Sequence, residues 1–236
     1  YYDKIRTVEN GIVSELLKKF NCVKKNRLFF CNGNYYQREF IQLINLLNDI
    51  PACNLISTLL LNLLKNNLKE DIESNYFVTV TSSSHKILKS LLDKGFVKEH
   101  QCIFVENYHN IDLELTKYSN NTKKDFILLT DVFSSGGLTK RIKKSLERNS
   151  CRLLGVGALI DTSIKKVENL NLISLYQLPI EKIKRDELNE NDDLENIIRV
   201  NPYTNIPIEL TRNNSFSRNV LFESKEFIEY LDEEDI

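Results

Sequence analysis

The sequence predicts an α/β fold: a parallel twisted sheet flanked by helices, with a helical N-terminal part and an irregular C-terminal tail. From Tyr76 onwards, short apolar runs alternate with amphipathic segments, a rhythm typical of strand–helix–strand units. The run Phe126–Thr130 is almost wholly apolar, as expected of a strand that is buried on both faces. Before Asn75, apolar side chains recur instead at the spacing of helices.

The N-terminal part is predicted to be mostly helical. Helical periodicity runs from Ile12 to Phe20, over Glu39–Leu47, and over the leucine-rich segment Cys53–Leu68. Between the first and second of these segments, the composition of Leu28–Cys31 favours a short strand. The Asn and Gly residues that follow it at positions 32–34 have the composition of a turn.

The α/β core is predicted to follow in regular order. The predicted strands are Tyr76–Thr81, Cys102–Val105, Phe126–Thr130, Arg152–Ile160 and Leu172–Gln177. The predicted helices are His85–Leu92 and Thr139–Arg148, and Ser82–Ser84 is a predicted loop.

Composition shifts divide the chain into three segments. Residues 1–75 form the helical N-terminal segment, 76–180 the α/β core, and 181–236 a charged linker with a C-terminal tail. Lys184–Glu195 is highly charged and rich in Asn, which predicts an exposed linker. Asn201–Pro207 has extended-chain character, and Ser224–Leu231 returns to helical spacing before an acidic end.

The composition argues against several functional classes. Lys+Arg (32) almost balance Asp+Glu (33), so a nucleic-acid partner is not indicated. The most apolar stretch, Cys53–Leu64, is too short to span a bilayer, and the charged N-terminus is unlike a signal peptide. The cysteines are far apart and form no CxxC pair, which predicts reduced thiols without a structural metal. We therefore expect a cytoplasmic protein with no membrane partner.

The clearest functional signal lies in Phe126–Thr139. Asp131 follows the apolar strand, Ser134–Gly137 supplies two hydroxyl groups and two glycines, and a helix is predicted to begin near Leu138. Glycines allow backbone N–H groups to converge on an anion, and a helix start adds its positive dipole end. In open α/β sheets, ligands bind beyond the carboxyl ends of the strands. The segment thus predicts a phosphate cradle beside a carboxylate, as a sugar phosphate requires.

Two better-known phosphate loops are excluded. The order of residues from Gly136 to Lys140 does not fit the GxxxxGK[ST] pattern of a P-loop. Gly155 and Gly157 begin like a dinucleotide-binding fingerprint, but its third glycine is missing and they lie within a predicted strand. We interpret these two glycines as structural.

The segment resembles the phosphoribosyl pyrophosphate motif of the type I phosphoribosyltransferases. In that motif four apolar residues and two acids precede two more apolar residues, a turn of hydroxyl-bearing or small residues with one or two glycines, and Thr. Asp131 matches the second acid, Val132 and Phe133 match the apolar pair, and Ser134–Gly137 matches the turn.

The surrounding elements are also similar to that family. Val78–Ser84 is similar to its pyrophosphate loop, and the stretch from Glu106 to Lys124 takes the place of its mobile catalytic loop. Arg152–Asp161 matches the strand after the motif helix. The resemblance extends over roughly Tyr76 to Leu178.

The resemblance implies binding of phosphoribosyl pyrophosphate or a nucleotide monophosphate. It implies that Asp131 is the catalytic residue and accepts hydrogen bonds from the ribose hydroxyls, and that the turn holds the 5-phosphate. Mg²⁺ would enter with the pyrophosphate, and phosphoribose would pass to a nitrogenous base. The implied ligand-binding residues near the turn are Thr130, Ser134, Ser135, Gly136, Gly137 and Leu138, and those of the pyrophosphate loop are Thr81, Ser82, Ser83 and Ser84.

Departures from the family pattern keep a non-catalytic function open. Thr130 stands where the family usually has its first acid, and Leu138 stands where a Thr hydroxyl normally completes the turn. The candidates for a basic cluster in the mobile loop are Lys117, Lys123 and Lys124. The alternative is a regulatory or interaction module, namely a nucleotide sensor or a subunit that binds a protein partner or forms a homodimer, in a bacterial defence or stress system.

Plainer interpretations of the same residues also remain. Asp131 as a plain cap in an ordinary strand-to-helix connection is the weaker interpretation, whereas Ser82–Ser84 fits a plain helix N-cap as well as a pyrophosphate loop. A hydrolase that uses Asp131 as its nucleophile is a weaker alternative, because no second acid or general base lies nearby in the sequence.

Overall fold

The computed structural model describes residues 2–31, 35–68, 72–106, 111–118, 124–164, 170–188, 197–200 and 207–208. The helices of this part of the chain are α1 (Tyr2–Lys19), α2 (Ile44–Asn48), α3 (Ile50–Asn67), α4 (Ser82–Asp93), α5 (Ile111–Thr116) and α6 (Gly137–Arg148). The first strands are β1 (Val23–Lys24), β2 (Phe29–Cys31), β3 (Tyr35–Gln37), β4 (Phe40–Ile41), β5 (Tyr76–Thr79) and β6 (Cys102–Phe104). The remaining strands are β7 (Asp125–Phe133), β8 (Arg152–Asp161), β9 (Leu172–Gln177), β10 (Ile198–Val200) and β11 (Pro207–Ile208).

The chain forms two compact units. One consists of residues 1–23 and 41–180, and the other of residues 24–40 and 181–236. This grouping differs from the predicted three-segment division, because it joins the N-terminal helices to the α/β core instead of setting them apart.

The first unit contains a five-stranded sheet in the order β6-β5-β7-β8-β9. Every neighbouring pair in it is parallel, with Val78 beside Leu128 on β5 and β7, and Thr130 beside Ala158 on β7 and β8. Parallel strands require crossover connections, and α4, α5 and α6 lie in the connections from β5 to β6, β6 to β7 and β7 to β8. The predicted fold class is confirmed.

Helices cover both faces of this sheet. Alternate side chains of β7 point to opposite faces, so Ile127 and Leu129 belong to one apolar core and Phe126 and Leu128 to the other. Helices α1, α3 and α4 contribute to the first core, with side chains such as Leu17, Leu60, Leu64, Ile87 and Leu91. Helices α5 and α6 contribute to the second core through Ile111, Leu115, Ile142 and Leu146.

The two glycines of β8 have a packing function. A Cβ atom on Gly157 would lie 2.8 Å from Leu64 Cδ1 and 3.0 Å from Leu129 Cδ2. A Cβ atom on Gly155 would lie 3.0 Å from the carbonyl oxygen of Asn171. Helix α3 therefore packs against strand positions that have no side chain, in agreement with the structural interpretation of these glycines.

The helix predicted over Glu39–Leu47 is wrong in its first half. Phe40 and Ile41 are extended in β4, and only the short helix α2 follows, from Ile44. The ring of Phe40 stacks on that of Phe29 at a centroid distance of 5.4 Å. This contact, with a residue distant in sequence, overrides the local helical periodicity.

The loop predicted at Ser82–Ser84 is also wrong. These serines form the first turn of α4, and Thr81 is its N-cap residue. Helix α3 begins earlier than predicted, at Ile50, because Asp49 Oδ1 accepts a hydrogen bond of 3.0 Å from the N–H of Ala52. Both helix starts depend on short polar side chains that satisfy first-turn N–H groups.

The second unit contains a four-stranded sheet in the order β11-β10-β2-β3. The predicted strand at Leu28–Cys31 is confirmed as β2, which pairs in parallel with β10 through Phe29 and Ile198. Within the predicted linker Lys184–Glu195, the described residues up to Leu188 include a 3-10 turn at Arg185–Glu187. The helix predicted at Ser224–Leu231 lies outside the described residues.

In the described part of the chain, no helix combines the length and the apolar character needed to cross a membrane.

Candidate functional site

Two helices begin at the same edge of the five-stranded sheet. Strands β5 and β7 are parallel neighbours, so their carboxyl ends lie side by side. Helix α4 follows β5 through Thr81, and α6 follows β7 through the turn Ser134–Gly136. This edge carries all the site residues that the sequence predicts.

The start of α6 is shaped by Gly136. This N-cap residue has a φ of 78° and a ψ of 7°, in the left-handed region that glycine adopts without strain. Its carbonyl oxygen accepts the first helical hydrogen bond from the N–H of Lys140 at 2.9 Å, and no side chain caps the helix. The first-turn N–H groups of α6 therefore lack the side-chain acceptor that usually satisfies them.

The turn before α6 is open to solvent. Ser135 and Gly137 are exposed, and Ser134 and Leu138 are half-buried. A Cβ atom on Gly137 would meet only Ser135 Oγ, at 3.8 Å, within 4 Å. An anion can therefore reach this turn from outside the molecule.

Asp131 lies deeper than the turn that follows it. The sequence predicts that Asp131 lies just beyond the end of its strand. Strand β7 instead continues to Phe133, so Asp131 lies inside the strand. The residue is only 3% exposed. Its Oδ1 atom accepts a hydrogen bond of 3.2 Å from Thr81 Oγ1, while its Oδ2 atom is buried and has no hydrogen-bond partner within the described residues.

The environment of Asp131 raises its pKa. Burial is the largest cause, because it penalises the charged form. The backbone N–H groups of Val132 and of Asp131 itself, and the side chains of Thr81 and Ser83, oppose that rise by favouring the carboxylate. A buried carboxyl group with one uncommitted oxygen atom is suited to a hydroxyl ligand, which serves as donor to a carboxylate or as acceptor from a carboxylic acid.

The start of α4 has a capping box, which satisfies the N–H groups of Thr81 and Ser84. Ser84 Oγ accepts from the N–H of Thr81 at 3.0 Å, and Thr81 Oγ1 accepts from the N–H of Ser84 at 3.1 Å. Ser84 Oγ also donates to the carbonyl oxygen of Thr81 at 2.9 Å. Ser83 and Ser84 are buried, and of the three serines only Ser82 is exposed.

Some of the predicted site residues contact one another in the structure, and others do not. Asp131 makes its side-chain contacts with Thr81 and Ser83 at the start of α4. In the described residues, no hydrogen bond links it to the turn at Ser134–Leu138. Thr130 Oγ1 donates to the carbonyl oxygen of Val132 at 3.2 Å and so serves its own strand.

A second buried carboxylate lies at this edge of the sheet. Asp161, at the end of β8, is 7% exposed and pairs in register with Phe133. Its Oδ1 atom accepts from the N–H and the hydroxyl of Ser163, at 2.9 and 2.6 Å. The sequence carried the same signal here as at Asp131, an acid at the end of an apolar strand, yet Asp161 was not among the predicted site residues.

The lysines predicted for the mobile loop have other contacts where the structure describes them. Lys117 Nζ pairs with Glu114 Oε1 at 2.7 Å on the exposed side of α5. Lys124 Nζ lies 4.7 Å from the centre of the Tyr76 ring. Lys123 lies outside the described residues.

The described residues contain no group of three or more His, Cys, Asp or Glu side chains able to hold a metal ion. Magnesium commonly takes one or two carboxylates from the protein and further oxygen atoms from the substrate phosphates. Asp131 has the carboxyl group that contacts the start of α4, but it is buried and accepts a hydrogen bond from Thr81. These residues alone do not make a magnesium cage.

A surface hollow elsewhere in the first unit shares no residue with this edge. It has a volume of about 490 Å³ and lies between the start of α3 and the end of α4. Its lining residues are Ile50, Pro51, Asn54, Leu55, Thr58 and Lys94.

Comparison with solved structures identifies the fold. The chain is similar to UMP synthase of Leishmania donovani, with a TM-score of 0.55 and 11% identity over 70% of this chain and 36% of that one. It is similar to orotate phosphoribosyltransferase from Aeropyrum pernix, with a TM-score of 0.51 and 17% identity over 70% and 93% of the two chains. The Mycobacterium tuberculosis orotate phosphoribosyltransferase gives a TM-score of 0.50 and 13% identity over 72% and 97%.

The comparison with UMP synthase extends over only about a third of that protein. No family model matches the sequence, and no curated protein matches it. The structural likenesses show that the chain has the fold of the type I phosphoribosyltransferases, as the resemblance in the sequence implied.

Proposed function

Starting from the type I phosphoribosyltransferase fold, we propose that this protein binds a 5-phosphorylated ribose at the start of α6, as phosphoribosyl pyrophosphate or as a nucleotide monophosphate. One observation carries the proposal. The open turn at Ser134–Leu138, with Gly136 in the left-handed conformation and no side-chain cap on α6, directly follows the strand that holds Asp131.

The 5-phosphate is assigned to the turn. A phosphate at this helix start accepts hydrogen bonds from first-turn N–H groups and interacts favourably with the helix dipole. The exposed hydroxyl of Ser135 and the half-buried hydroxyl of Ser134 supply further donors. Lys140 is exposed in the first turn of α6 and adds positive charge nearby. Leu138 contributes no hydroxyl, so the backbone supplies most of the binding.

The ribose is assigned to Asp131. Its Oδ2 atom is buried without a hydrogen-bond partner among the described residues, and a buried polar atom left unpaired is unfavourable by about 1–3 kcal/mol. A ribose hydroxyl bonded to Oδ2 would remove that penalty. Since Oδ2 is covered in the free protein, binding requires a small local opening beside β7.

Transfer of phosphoribose to a base is the catalytic form of this proposal. Mg²⁺ would enter with the pyrophosphate and neutralise charge on that leaving group. The residues of this chain assigned to the pyrophosphate are Thr81–Ser84, and Asp131 is assigned to orient the ribose. The second candidate function is a non-catalytic nucleotide sensor. It is favoured by Thr130, whose hydroxyl donates to the carbonyl oxygen of Val132 where relatives usually have an acid.

Calorimetric titration tests the proposal. The ligands are ribose 5-phosphate, UMP, AMP and phosphoribosyl pyrophosphate, each with and without Mg²⁺, and unphosphorylated ribose is the control ligand. We expect heat of binding for at least one phosphorylated ligand and none for ribose. Flat titrations for all the phosphorylated ligands would exclude the proposal, and release of pyrophosphate in the presence of a base would establish the catalytic form.

A further inference from the structure

The positive charge of helix α6 is concentrated towards its start. The helix carries five basic residues and a single acid, Glu147. Four of the basic residues lie within its first eight positions, namely Lys140, Arg141, Lys143 and Lys144, and its first turn contains no acid. Cations are favourable near the C-terminus of a helix and unfavourable near its N-terminus. The chain therefore accumulates positive charge at a place where a bound anion would compensate it.

Two of these lysines follow the phosphate turn along the exposed face of α6. Gly137, Lys140 and Lys144 are exposed. Ile142 and Leu146 lie on the opposite side of the helix, where they are buried in the second core. With 3.6 residues per turn, Lys140 lies about 60° from Gly137 around the helix axis and Lys144 only about 20° from it. Along the axis, Lys140 lies about 4.5 Å and Lys144 about 10.5 Å from Gly137.

This lysine row, Lys140 and Lys144, is free to contact a ligand. Within the described ranges, neither lysine side chain has a hydrogen-bond or ion-pair partner. Arg148, one turn further along, instead pairs with Asp112, its Nη1 atom 3.8 Å from Asp112 Oδ1. Long side chains on a helix lean towards its N-terminus, so Lys140 leans towards the turn and Lys144 towards Lys140. Two ammonium groups in succession suit a chain of phosphates better than a single phosphate.

From this arrangement we infer that the ligand class extends to nucleoside 5′-triphosphates, which the protein binds in preference to the 5′-monophosphates. The inference rests on the proposed function, which assigns the 5-phosphate to the start of α6. It adds that the second and third phosphates lie along the lysine row. The ribose keeps its contact with Asp131 Oδ2, which is buried without a hydrogen-bond partner among the described residues. Inorganic triphosphate offers the same chain of phosphates without that ribose.

Calorimetric titrations with UMP, UDP and UTP, with AMP, ADP and ATP, and with inorganic triphosphate test the inference. Divalent cations are left out, because Mg²⁺ binds phosphate oxygen atoms and neutralises their charge. Exposed ion pairs contribute modestly, so we expect a triphosphate to bind at least about fivefold more tightly than its monophosphate, with the diphosphate between them. We expect inorganic triphosphate to bind more weakly than the nucleoside triphosphate, because it makes no contact with Asp131.

The outcomes separate the inference from the proposed function. Equal dissociation constants for the mono-, di- and triphosphates would overturn the inference and leave the proposed function standing. Absence of binding for both nucleotide series and for ribose 5-phosphate would overturn the proposed function itself. Inorganic triphosphate bound as tightly as the nucleoside triphosphates would overturn a nucleotide as the ligand, and the inference with it.

A matched pair of lysine substitutions on α6 locates the cause of the preference. Lys144→Ala removes the second cation of the lysine row. Lys143→Ala removes an equal charge from the same helix, about 120° around the axis from Gly137. Alanine favours helices, so both variants are expected to fold. We expect Lys144→Ala to reduce the ratio of the monophosphate and triphosphate dissociation constants about threefold and Lys143→Ala to leave it unchanged. The same ratio in both variants would contradict a chain of phosphates along the lysine row.

Discussion

At the scale of single residues, the site depends on one backbone conformation. Gly136 has a φ of 78°, which a residue with a Cβ atom adopts only with strain. Gly137, its neighbour, has no positive φ, and a Cβ atom there would meet only Ser135 Oγ, at an ordinary contact distance of 3.8 Å. The two glycines therefore have different structural requirements although they are adjacent in the sequence.

We expect Gly136→Ala to lower the free energy of unfolding by about 1 kcal/mol, because the left-handed conformation is unfavourable for alanine. Gly137→Ala is the control and is expected to leave the stability unchanged or slightly raised, since alanine favours the first turn of a helix. Urea denaturation measures both. Equal losses in the two variants would show that the conformation of Gly136 is not what the turn requires.

The buried carboxyl group of Asp131 leads to a separate prediction about how stability depends on pH. Its pKa is raised above the ordinary value, mainly by burial. A group whose pKa is higher in the folded state contributes most to stability below its unfolded pKa, about 4 for Asp. That contribution is lost as the pH rises through the folded pKa.

Asp131→Asn removes this titration. Relative to the variant, the native protein is expected to lose stability progressively as the pH rises above about 4. The measurement is the difference in the free energy of unfolding between the two proteins at a series of pH values. A difference that does not change with pH would contradict a raised pKa at Asp131.

At the scale of elements, the five-stranded sheet was the part most accessible from sequence. Strand β9 lies where it was predicted, at Leu172–Gln177, because runs of apolar residues bounded by polar segments mark buried parallel strands. Strand β4 was missed, because Phe40 and Ile41 continue a helical apolar pattern. Phe40 stacks on Phe29, a contact that no local pattern identifies.

The site also depends on contacts between distant residues that local sequence patterns do not predict. The turn at Ser134–Gly137 was predicted from its composition, since glycine and hydroxyl residues have direct conformational and chemical meaning. The contact of Asp131 with Thr81 joins residues 50 positions apart in the chain, and the pairing of β5 with β7 creates it. Asp161 reaches the same edge through the pairing of β8 with β7. Sequence periodicity predicts strands but not which strands are neighbours.

The close packing of α3 on β8 leads to a prediction about the free energy of unfolding. Gly157→Ala would place a Cβ atom 2.8 Å from Leu64 Cδ1, too close for an undisturbed core. We expect it to lower the free energy of unfolding by about 1–3 kcal/mol, as overpacking does. In the background of Leu64→Ala, which vacates that space, the same substitution is expected to be less destabilising. Additive losses in a double-mutant cycle would contradict the close approach of α3 to β8.

At the scale of the whole molecule, the fold and the function depend on different residues. The apolar cores on the two faces of the sheet stabilise the fold. The ligand-binding proposal depends on a few residues at one edge of that sheet. In this chain the turn before α6 is open to solvent, the Thr130 hydroxyl donates to the carbonyl oxygen of Val132, and α4 begins with a capping box.

The most direct test of the proposed site is the response of backbone amides at the start of α6 to ligand. In a ¹H–¹⁵N spectrum with assigned resonances, titration with ribose 5-phosphate is expected to shift the N–H signals of Gly136, Gly137 and Leu138. Unphosphorylated ribose is expected to leave them in place, because the phosphate supplies the charge that these groups bind. Shifts confined to other parts of the chain, or none at all, would contradict a phosphate site at this helix start.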